Sequence, residues 1–542
     1  MKTPPHPELI RLILSRIKAK GYVGEKEIEG ISSRLRIPSS RVYGFISQFD
    51  ELPQRPSRAR IRVCTGPACA EAGAWAVLEE LRHAVPAGVE VLAQPGLLRW
   101  HRSPAVYLET PGEETRLVEG LGPDDVASLL AALAKNDLSS YRPLKEILPP
   151  GADALPGYAP APWSAAAAGG MLPESWGPAL IHRASEQRQE VMRGIVGRAV
   201  RGRSRDWDGS APAVLLCDTA GPELENSVSF AAALLHPRAV VAGSALAAVA
   251  CGARKLVFYI PWDEAEAGEA LESAAAELLS GVGIKHSFFQ GPAQVPCAMD
   301  IGRAAVMQGM MLWHAASLYG WKGTLGSDPS LAVLDAERAW RLPWLMEKRS
   351  VSEGEREGGR LVCLAGSDLA PRLLEIPPGI GLKEILGGLQ IDEGDIKAVF
   401  MGGETAAMTT SQEAGAKALE NARDIILLDT LTCMPRWALY RAWYAERACC
   451  GGCVPGRTVP AAAARILQRI LKAEAGEAAL EDLGSLLADA GGLALCPRLR
   501  ETLNPILTCL REFGDEFEVH AKEGVCRSGS CSPAIAATTY GV

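Results

Sequence analysis

A chain of 542 residues is too long for a single hydrophobic core, so three or four domains are expected. Its 48% hydrophobic and 22% charged residues are typical of ordinary globular proteins, and its net charge of −8 without a Lys/Arg block argues against a nucleic-acid partner. Because the sequence has neither a long uninterrupted apolar stretch nor a signal-peptide pattern at its N-terminus, it predicts a cytoplasmic protein with no direct membrane span.

The first third of the chain changes character twice. Apolar residues at helical spacing predict an N-terminal helical bundle over residues 1–54. Residues 55–135 alternate strand and helix patterns, which indicates a small α/β domain. Residues 136–170 are rich in Pro, Ala and Gly, a composition typical of a linker.

The rest of the chain predicts a second α/β region followed by helices. Near-continuous apolar runs such as 256–260 are typical of strands buried on both faces, and they place a larger α/β domain at residues 171–350. A smaller β-rich unit follows at 351–435. The last two predicted segments are a helical bundle at 436–520 and a cysteine-containing tail at 521–542.

Fourteen cysteines are many for a chain without an export signal, and clustered thiols in a reducing compartment indicate metal or redox chemistry. Cys450, Cys453 and Cys496 have nearly the spacing of a cubane iron–sulfur site, but Gly456 stands where the third thiolate of the motif belongs. Three interpretations stay open. A [4Fe–4S] cluster could be completed by an outside ligand or by Cys449, the three thiolates could hold a [3Fe–4S] cluster, or the site could be empty.

A second cluster of metal-binding side chains lies beyond the predicted bundle. One imidazole and two thiolates, His520, Cys526 and Cys531, suit a tetrahedral zinc ion, which needs a fourth ligand. Cys449 is the preferred candidate for that ligand and Cys509 the other. The alternative is a frayed tail with two free cysteines.

Three motifs resemble one family. Val63–Cys69, with Cys64 and Cys69, is similar to the first half of a [2Fe–2S] motif; Gly252–Ile260 is similar to a strand beside a flavin site; and Cys450–Arg457 is similar to a C-terminal cluster loop. Together they resemble a fusion of the 24 kDa-like and 51 kDa-like flavoprotein-arm subunits of complex I and of NAD-linked hydrogenases and formate dehydrogenases. The resemblance implies a helical bundle with a thioredoxin-like domain, a Rossmann-like FMN-type domain, a β-grasp domain and a C-terminal four-helix iron–sulfur bundle.

The sequence departs from this family at its cofactor sites. A [2Fe–2S] cluster needs four ligands, and the stretch 93–104, where the family places its second cysteine pair, contains no cysteine. His101 as a substitute would still leave three ligands, so Cys64 and Cys69 are interpreted as a residual or redox-labile pair. The glycine-rich loop that would hold FMN and admit NADH is replaced by Ser204–Ser210, which includes the bulky Trp207. We therefore expect no normal FMN or NAD binding.

These observations lead to a function hypothesis with two alternatives. The first is an electron-transfer or assembly subunit of a larger oxidoreductase, such as a hydrogenase or formate dehydrogenase complex, with one residual iron–sulfur site. The second is a genuine NADH-oxidising FMN and iron–sulfur diaphorase subunit. The third is a zinc-stabilised scaffold without redox activity. The sequence leaves open whether the chain is an enzyme.

Overall fold

The computed structural model describes most of the domains predicted from the sequence, with gaps between them. The described residues are 9–47, 52–96, 103–111, 113, 115–135, 141, 152–154, 181, 214–219, 227–261, 264–291, 331–347, 360–366, 369, 371–377, 379–403, 406–415, 422–449, 454–476, 478–493 and 497–531. The helix predicted from the methionine-rich stretch 300–320 lies outside them.

Three short helices form the N-terminal unit. They are α1 (Leu9–Lys20), α2 (Glu25–Leu35) and α3 (Ser39–Ile46). Ile13, Val23 and Val42 are fully buried between them, as the helical spacing of apolar residues predicts. Gly21, with a positive φ of 81°, ends α1 directly against Pro111 of the next domain.

The next domain has a four-stranded mixed sheet in the order β2-β1-β3-β4. Strand β1 pairs parallel with β2 and antiparallel with β3. The sequence predicts a helix over residues 72–84, and the structure has one that begins at Ala74, because the positive φ of 94° at Gly73 separates it from the short helix before it. The elements are β1 (Ala59–Cys64), α4 (Pro67–Glu71), α5 (Ala74–Ala84), β2 (Val89–Gln94), β3 (Ala105–Glu109), β4 (Arg116–Glu119) and α6 (Val126–Ala134).

A parallel four-stranded sheet in the order β8-β7-β6-β9 forms the larger α/β domain. Strand β6 is buried along its whole length, and α8 and α10 pack against it, in accord with its continuous apolar sequence. The elements are β6 (Val214–Asp218), α7 (Ser227–Leu235), α8 (Pro237–Cys251), β7 (Lys255–Pro261), α9 (Ala265–Leu278), β8 (Lys285–Gly291), β9 (Leu331–Asp335) and α10 (Ala336–Glu347).

A six-stranded sheet in the order β13-β12-β14-β10-β11-β5 follows. Its edge strand β5 (Ala152–Ala154) comes from the Pro/Ala/Gly-rich region and pairs parallel with β11, so this part of the predicted linker is a strand. The other elements are β10 (Arg360–Gly366), β11 (Arg372–Ile376), α11 (Leu382–Leu389), β12 (Ile396–Met401), β13 (Ala407–Thr410), α12 (Ser411–Gly415) and β14 (Asp424–Asp429).

The C-terminal part is a helical bundle. It consists of α13 (Met434–Ala448), α14 (Val454–Leu471), α15 (Ala478–Leu493), α16 (Pro497–Glu512) and α17 (Gly514–Glu523). Helix α13 lies at its centre and packs against both α14 and α16. The mixed α/β fold, with a thioredoxin-like domain and several sheets, confirms the predicted fold class.

Two contacts join the thioredoxin-like domain to its neighbours. The Trp75 ring stacks on Tyr440 of α13 at a centroid distance of 5.3 Å and lies 5.2 Å from the Trp443 ring. On the other side, the buried Tyr107 hydroxyl donates a hydrogen bond to Glu264 Oε1 over 2.6 Å. Such buried aromatic and hydrogen-bonded contacts fix the orientation of one domain on another.

Candidate metal centres

Four metal-binding side chains converge at the start of α13. They are Cys433, which immediately precedes α13, His520 on α17, and Cys526 and Cys531 in the turn that follows α17. One ligand atom from each lies within 4.8 Å of every other. The residues come from two regions of the chain that the fold brings together, since α13 and α17 pack against each other.

The distances suit a tetrahedral ion. Cys531 Sγ lies 3.2 Å from Cys433 Sγ, and His520 Nε2 lies 3.6 Å from each of these two sulfurs. Zinc–sulfur bonds of about 2.3 Å and zinc–nitrogen bonds of about 2.0 Å give donor–donor separations of roughly 3.4–3.8 Å in a tetrahedron. The donor set therefore fits zinc, which would add cross-links between the bundle and the tail and take no part in redox chemistry.

The four ligand groups change one another's pKa values because they lie so close together. The hydrogen bond with Cys531 and burial both raise the pKa of Cys433 well above its usual value. Burial would also raise the pKa of Cys526, but hydrogen bonds from the Ser528 hydroxyl and from backbone amides lower it to about 6. For His520, burial is outweighed by the contact with Cys433, which raises the imidazole pKa to about 9. The crowded sulfurs thus oppose a second thiolate beside Cys526, and binding of zinc would release protons from Cys433 and His520.

Neighbouring groups hold the ligands in place. The main-chain oxygen of Glu516 lies 2.9 Å from His520 Nδ1, which leaves Nε2 directed at the sulfurs. The Glu516 carboxylate pairs with Lys397 Nζ at 2.5 Å, and the same ammonium donates to the Thr432 carbonyl over 2.8 Å. The loop that carries Cys433 is therefore tied to both the six-stranded sheet and α17.

The structure places Cys433, not Cys449, beside the His520 group. Cys449 lies at the other end of α13, about 20 Å along the helix by the usual rise per residue, with its Sγ 4.0 Å from Thr502 Oγ1. Cys509 is closer to the group, but its thiol hydrogen bonds to the Met434 carbonyl over 3.8 Å. Sequence spacing gave no sign of Cys433, because it precedes His520 by a whole bundle and belongs to no local motif.

The three cysteines of the iron–sulfur motif, Cys450, Cys453 and Cys496, lie outside the described residues, but the helix ends next to them are described. Helix α13 ends just before Cys450, α14 begins just after Cys453, and α16 begins just after Cys496. The Cys449–Thr502 contact brings the end of α13 against the first turns of α16, and α14 packs on α13. The flanking helices therefore meet at one end of the bundle.

Gly456, where the family motif has its third thiolate, is buried in the first turn of α14. A glycine offers no side-chain ligand, so the cysteine motif supplies three thiolates toward a cluster that needs four.

Cys64 and Cys69 lie next to each other in the thioredoxin-like domain. Both thiols are fully buried in the thioredoxin-like domain and hydrogen bond to each other. The Cys69 thiol also donates to Ser103 Oγ over 3.2 Å, and burial raises its pKa well above the usual value. Two thiols supply half of the four ligands that a [2Fe–2S] cluster requires. His101 and the loop around Trp207 lie outside the described residues.

Two of these structural regions match known protein families. A family profile described as thioredoxin-like [2Fe–2S] ferredoxin matches residues 5–103, and one described as the NADH-ubiquinone oxidoreductase-F iron–sulfur binding region matches residues 436–520. In one polypeptide the chain thus resembles both the 24 kDa-like and the 51 kDa-like subunit types of the flavoprotein arm, as its sequence motifs predict.

Individual relatives are distant. The chain is 25% identical to the NADP-reducing hydrogenase subunit HndC of Solidesulfovibrio fructosivorans over 42% of this chain and 47% of that protein. It is 24% identical to an F-type NADH-quinone oxidoreductase subunit of Rhizobium meliloti (strain 1021) over 54% of this chain and 76% of that protein. The chain therefore spans about half the length of the first relative and three quarters of the second.

The fold as a whole resembles a solved structure. A chain of an NAD+-reducing [NiFe]-hydrogenase in the H2-reduced state superposes with a TM-score of 0.75, 16% identity and coverage of 96% of this chain and 94% of that one. This likeness shows the shared fold, and the two profile matches and the F-type relative together with it confirm the resemblance inferred from the sequence motifs.

No single helix in the described part of the chain is long and apolar enough to cross a membrane. Taken together, α7 and α8 have the length and apolar composition of a membrane span, but the two helices meet at an angle of 108°.

Proposed function

We propose that this chain is an electron-transfer and assembly subunit of a multisubunit oxidoreductase, with one iron–sulfur site at Cys450, Cys453 and Cys496 and no NADH oxidation of its own. The observation that carries the proposal is the meeting of the three helix ends that flank these cysteines. A cluster there would carry single electrons, and the bundle would fix its position relative to partner subunits.

Two features support an electron-transfer role that uses fewer cofactors than the flavoprotein-arm subunits, without a [2Fe–2S] cluster or a flavin. The buried thiols of Cys64 and Cys69 argue against a second cluster in the thioredoxin-like domain. The sequence lacks the glycine-rich flavin loop, so hydride acceptance from NADH has no flavin to receive it. Both cofactors would therefore belong to partner subunits.

The proposal includes a structural zinc ion held by Cys433, His520, Cys526 and Cys531. Its support is the set of four donors with near-tetrahedral separations, together with the hydrogen bond that orients the His520 ring. In this role, zinc stabilises the bundle and its tail, while electron transfer stays with the iron–sulfur site.

The partners proposed are the other subunits of a hydrogenase, formate dehydrogenase or NADH-quinone oxidoreductase complex in the cytoplasm. Support comes from relatives that are named as subunits of such enzymes. Co-purification of a tagged chain from its native source, followed by mass spectrometry, tests this part. Recovery of the chain alone under gentle conditions would contradict it.

Metal analysis and visible spectroscopy of the anaerobically purified chain test the cofactor assignment. We expect iron and sulfide with a broad absorption shoulder, about one zinc per chain, and no bleaching on addition of NADH. Flavin bands bleached by NADH would identify a diaphorase instead. Zinc without iron would identify a scaffold. Replacement of Cys450 and Cys453 by serine is expected to remove iron and leave zinc unchanged.

A further inference from the structure

The larger α/β domain, which contains strands β6–β9 and is called the FMN-type domain from here on, has a parallel sheet with a point where the strand order reverses. From β6 the chain passes to β7 and β8 on one side, and β9 is added on the other side of β6. In open sheets of this kind, ligands bind outside the carboxyl ends of the strands at this switch point. The carboxyl ends of β6 and β9 therefore mark the crevice where a nucleotide would bind.

Two buried carboxylates occupy these strand ends. Asp218 and Asp335 are the last residues of β6 and β9, and they lie directly opposite each other in the strand register. Only 1% and 2% of their surfaces are exposed. Buried carboxylates with so little contact with water need positively charged partners inside the protein.

The buried carboxylates beside these strand ends form ion pairs and a hydrogen bond with side chains and backbone of the same domain. Asp335 caps α10 by accepting a hydrogen bond from the Arg338 amide over 2.9 Å, and the Arg338 side chain pairs with it at 3.3 Å. Glu337, also buried, pairs with Arg341 at 3.2 Å. These contacts lie within the FMN-type domain and hold its acids in fixed positions.

A positively charged side chain from the neighbouring six-stranded sheet, Arg423, also pairs with these carboxylates. Arg423 Nη1 donates to Glu337 Oε2 over 2.9 Å and lies 3.5 Å from Asp335 Oδ1. The Arg423 backbone is itself fixed in the six-stranded sheet, because its amide bonds to the Gly402 carbonyl and its carbonyl accepts from the Cys363 amide. One guanidinium thus bridges the switch point of one domain to the strands of another.

We propose that the nucleotide crevice of the FMN-type domain is an internal ion-pair joint. Arg423 supplies its permanent cation, and its ion pairs with Asp335 and Glu337 fill the place where a phosphate would bind. The joint holds the six-stranded sheet against the FMN-type domain, in the place where a bound nucleotide would otherwise contribute contacts. This inference rests on the part of the proposed function that assigns no flavin to this chain, and it adds a role for the crevice in holding two domains together.

A double-mutant cycle in the full chain tests the joint. Arg423→Gln leaves buried acids without their bridging cation and is expected to lower Tm by at least about 5 °C. Adding Glu337→Gln removes one of those acids and is expected to recover about half of the loss, since only one partner of the bridge remains charged. The control is the exposed Arg238–Glu277 pair, and the same two substitutions there are expected to shift Tm by about 1 °C or less. Equal effects at the two pairs, or no recovery, would overturn the joint.

Ligand discrimination tests the inference without any destabilised variant. Equilibrium dialysis of the wild-type chain compares FMN with riboflavin, which is the same ring system without the phosphate. We expect FMN to bind no better than riboflavin, because the ion pairs of Arg423 leave no site for its phosphate. Binding of FMN ten-fold tighter than riboflavin would overturn the inference. The iron content of the chain tests the proposed function separately, so the two can fail independently.

Discussion

Arg436, in the first turn of α13, donates a hydrogen bond from Nη1 to the carbonyl oxygen of Ser530 over 2.6 Å. Ser530 immediately precedes the zinc-site residue Cys531, and Cys433 lies one turn before Arg436. The Arg436 side chain, on the helix that follows Cys433, therefore holds the turn that carries Cys531. The contact connects two parts of the site that are almost a hundred residues apart in sequence.

Arg436→Met should weaken zinc binding without removing a ligand. Loss of this outer hydrogen bond frees the turn that carries Cys526 and Cys531, and we expect about ten-fold lower metal affinity. Competition with a chromophoric chelator measures the change. Arg465→Met, at an exposed position of α14, is the matched control and should leave the affinity unchanged. Equal affinities for the two variants would contradict the role of Arg436.

Serine substitutions distinguish the candidates for the fourth zinc ligand. Cys433→Ser should reduce zinc content from about one per chain to near zero, because it removes one of four converging ligands. Cys449→Ser and Cys509→Ser should both retain zinc, since neither thiol belongs to the converging group. Metal analysis after gel filtration gives the stoichiometry. Zinc loss in the Cys449 variant with retention in the Cys433 variant would restore the assignment made from sequence.

Local patterns predicted the thiols that lie close together in the chain, but not the ligand that the fold brings from elsewhere. His520, Cys526 and Cys531 are within twelve residues of one another, and a short spacing signals a shared ion. Cys433 reaches them only because α13 and α17 pack together. Tertiary packing of this kind leaves no periodic trace in a single sequence.

The strands and the start of a helix after Gly73 show the same limit of prediction from a single sequence. Apolar runs predicted the buried strands β6 and β7, because burial on both faces fixes composition. Strand β5 escaped prediction, since three residues in a Pro/Ala/Gly-rich region gain their order only from pairing with β11. The break at Gly73 likewise depends on a positive φ that glycine permits but does not require.

Restoring a thiolate at position 456 should increase iron binding. Gly456→Cys supplies the family's missing ligand in the first turn of α14, directly after the cysteine loop. We expect a higher iron-to-protein ratio and a stronger absorption shoulder than in the wild type. Gly456→Ala adds a methyl group without a ligand and controls for packing at this buried position. Equal iron contents in the two variants would argue against a cluster bounded by Cys450, Cys453 and Cys496.

His236 should make the stability of the FMN-type domain fall in mild acid. Its ring is 7% exposed and stacks on Trp340 at 5.6 Å. Burial lowers the pKa of the imidazole from 6.5 to about 4, so the folded state resists a proton that the unfolded state accepts. The free energy of unfolding should therefore decrease as pH falls from about 6.5 to 4, by roughly 2–3 kcal/mol in total.

His236→Phe keeps an aromatic ring in this position and removes the titrating group. We expect the difference in Tm between variant and wild type to grow in favour of the variant between pH 7 and pH 4.5. His83→Phe, at an exposed position near the end of α5, is the matched control for exchanging a histidine for a phenylalanine. A constant difference for the His236 variant would show that folding does not lower the pKa of its imidazole.

The crossing of α8 and α10 depends on the absence of a side chain at Gly243. A Cβ atom at this position would lie 1.8 Å from the carbonyl oxygen of Ala339 and 3.2 Å from Pro343 Cδ. Because backbone cannot yield at so short a distance, Gly243→Ala must separate the helices, and we expect a loss of more than about 3 kcal/mol. Gly30→Ala in α2, where no other atom lies within 4 Å, should instead stabilise its helix by about 0.5–1 kcal/mol. Thermal unfolding of both variants measures the contrast, and a Gly243 variant as stable as wild type would contradict close packing of these helices.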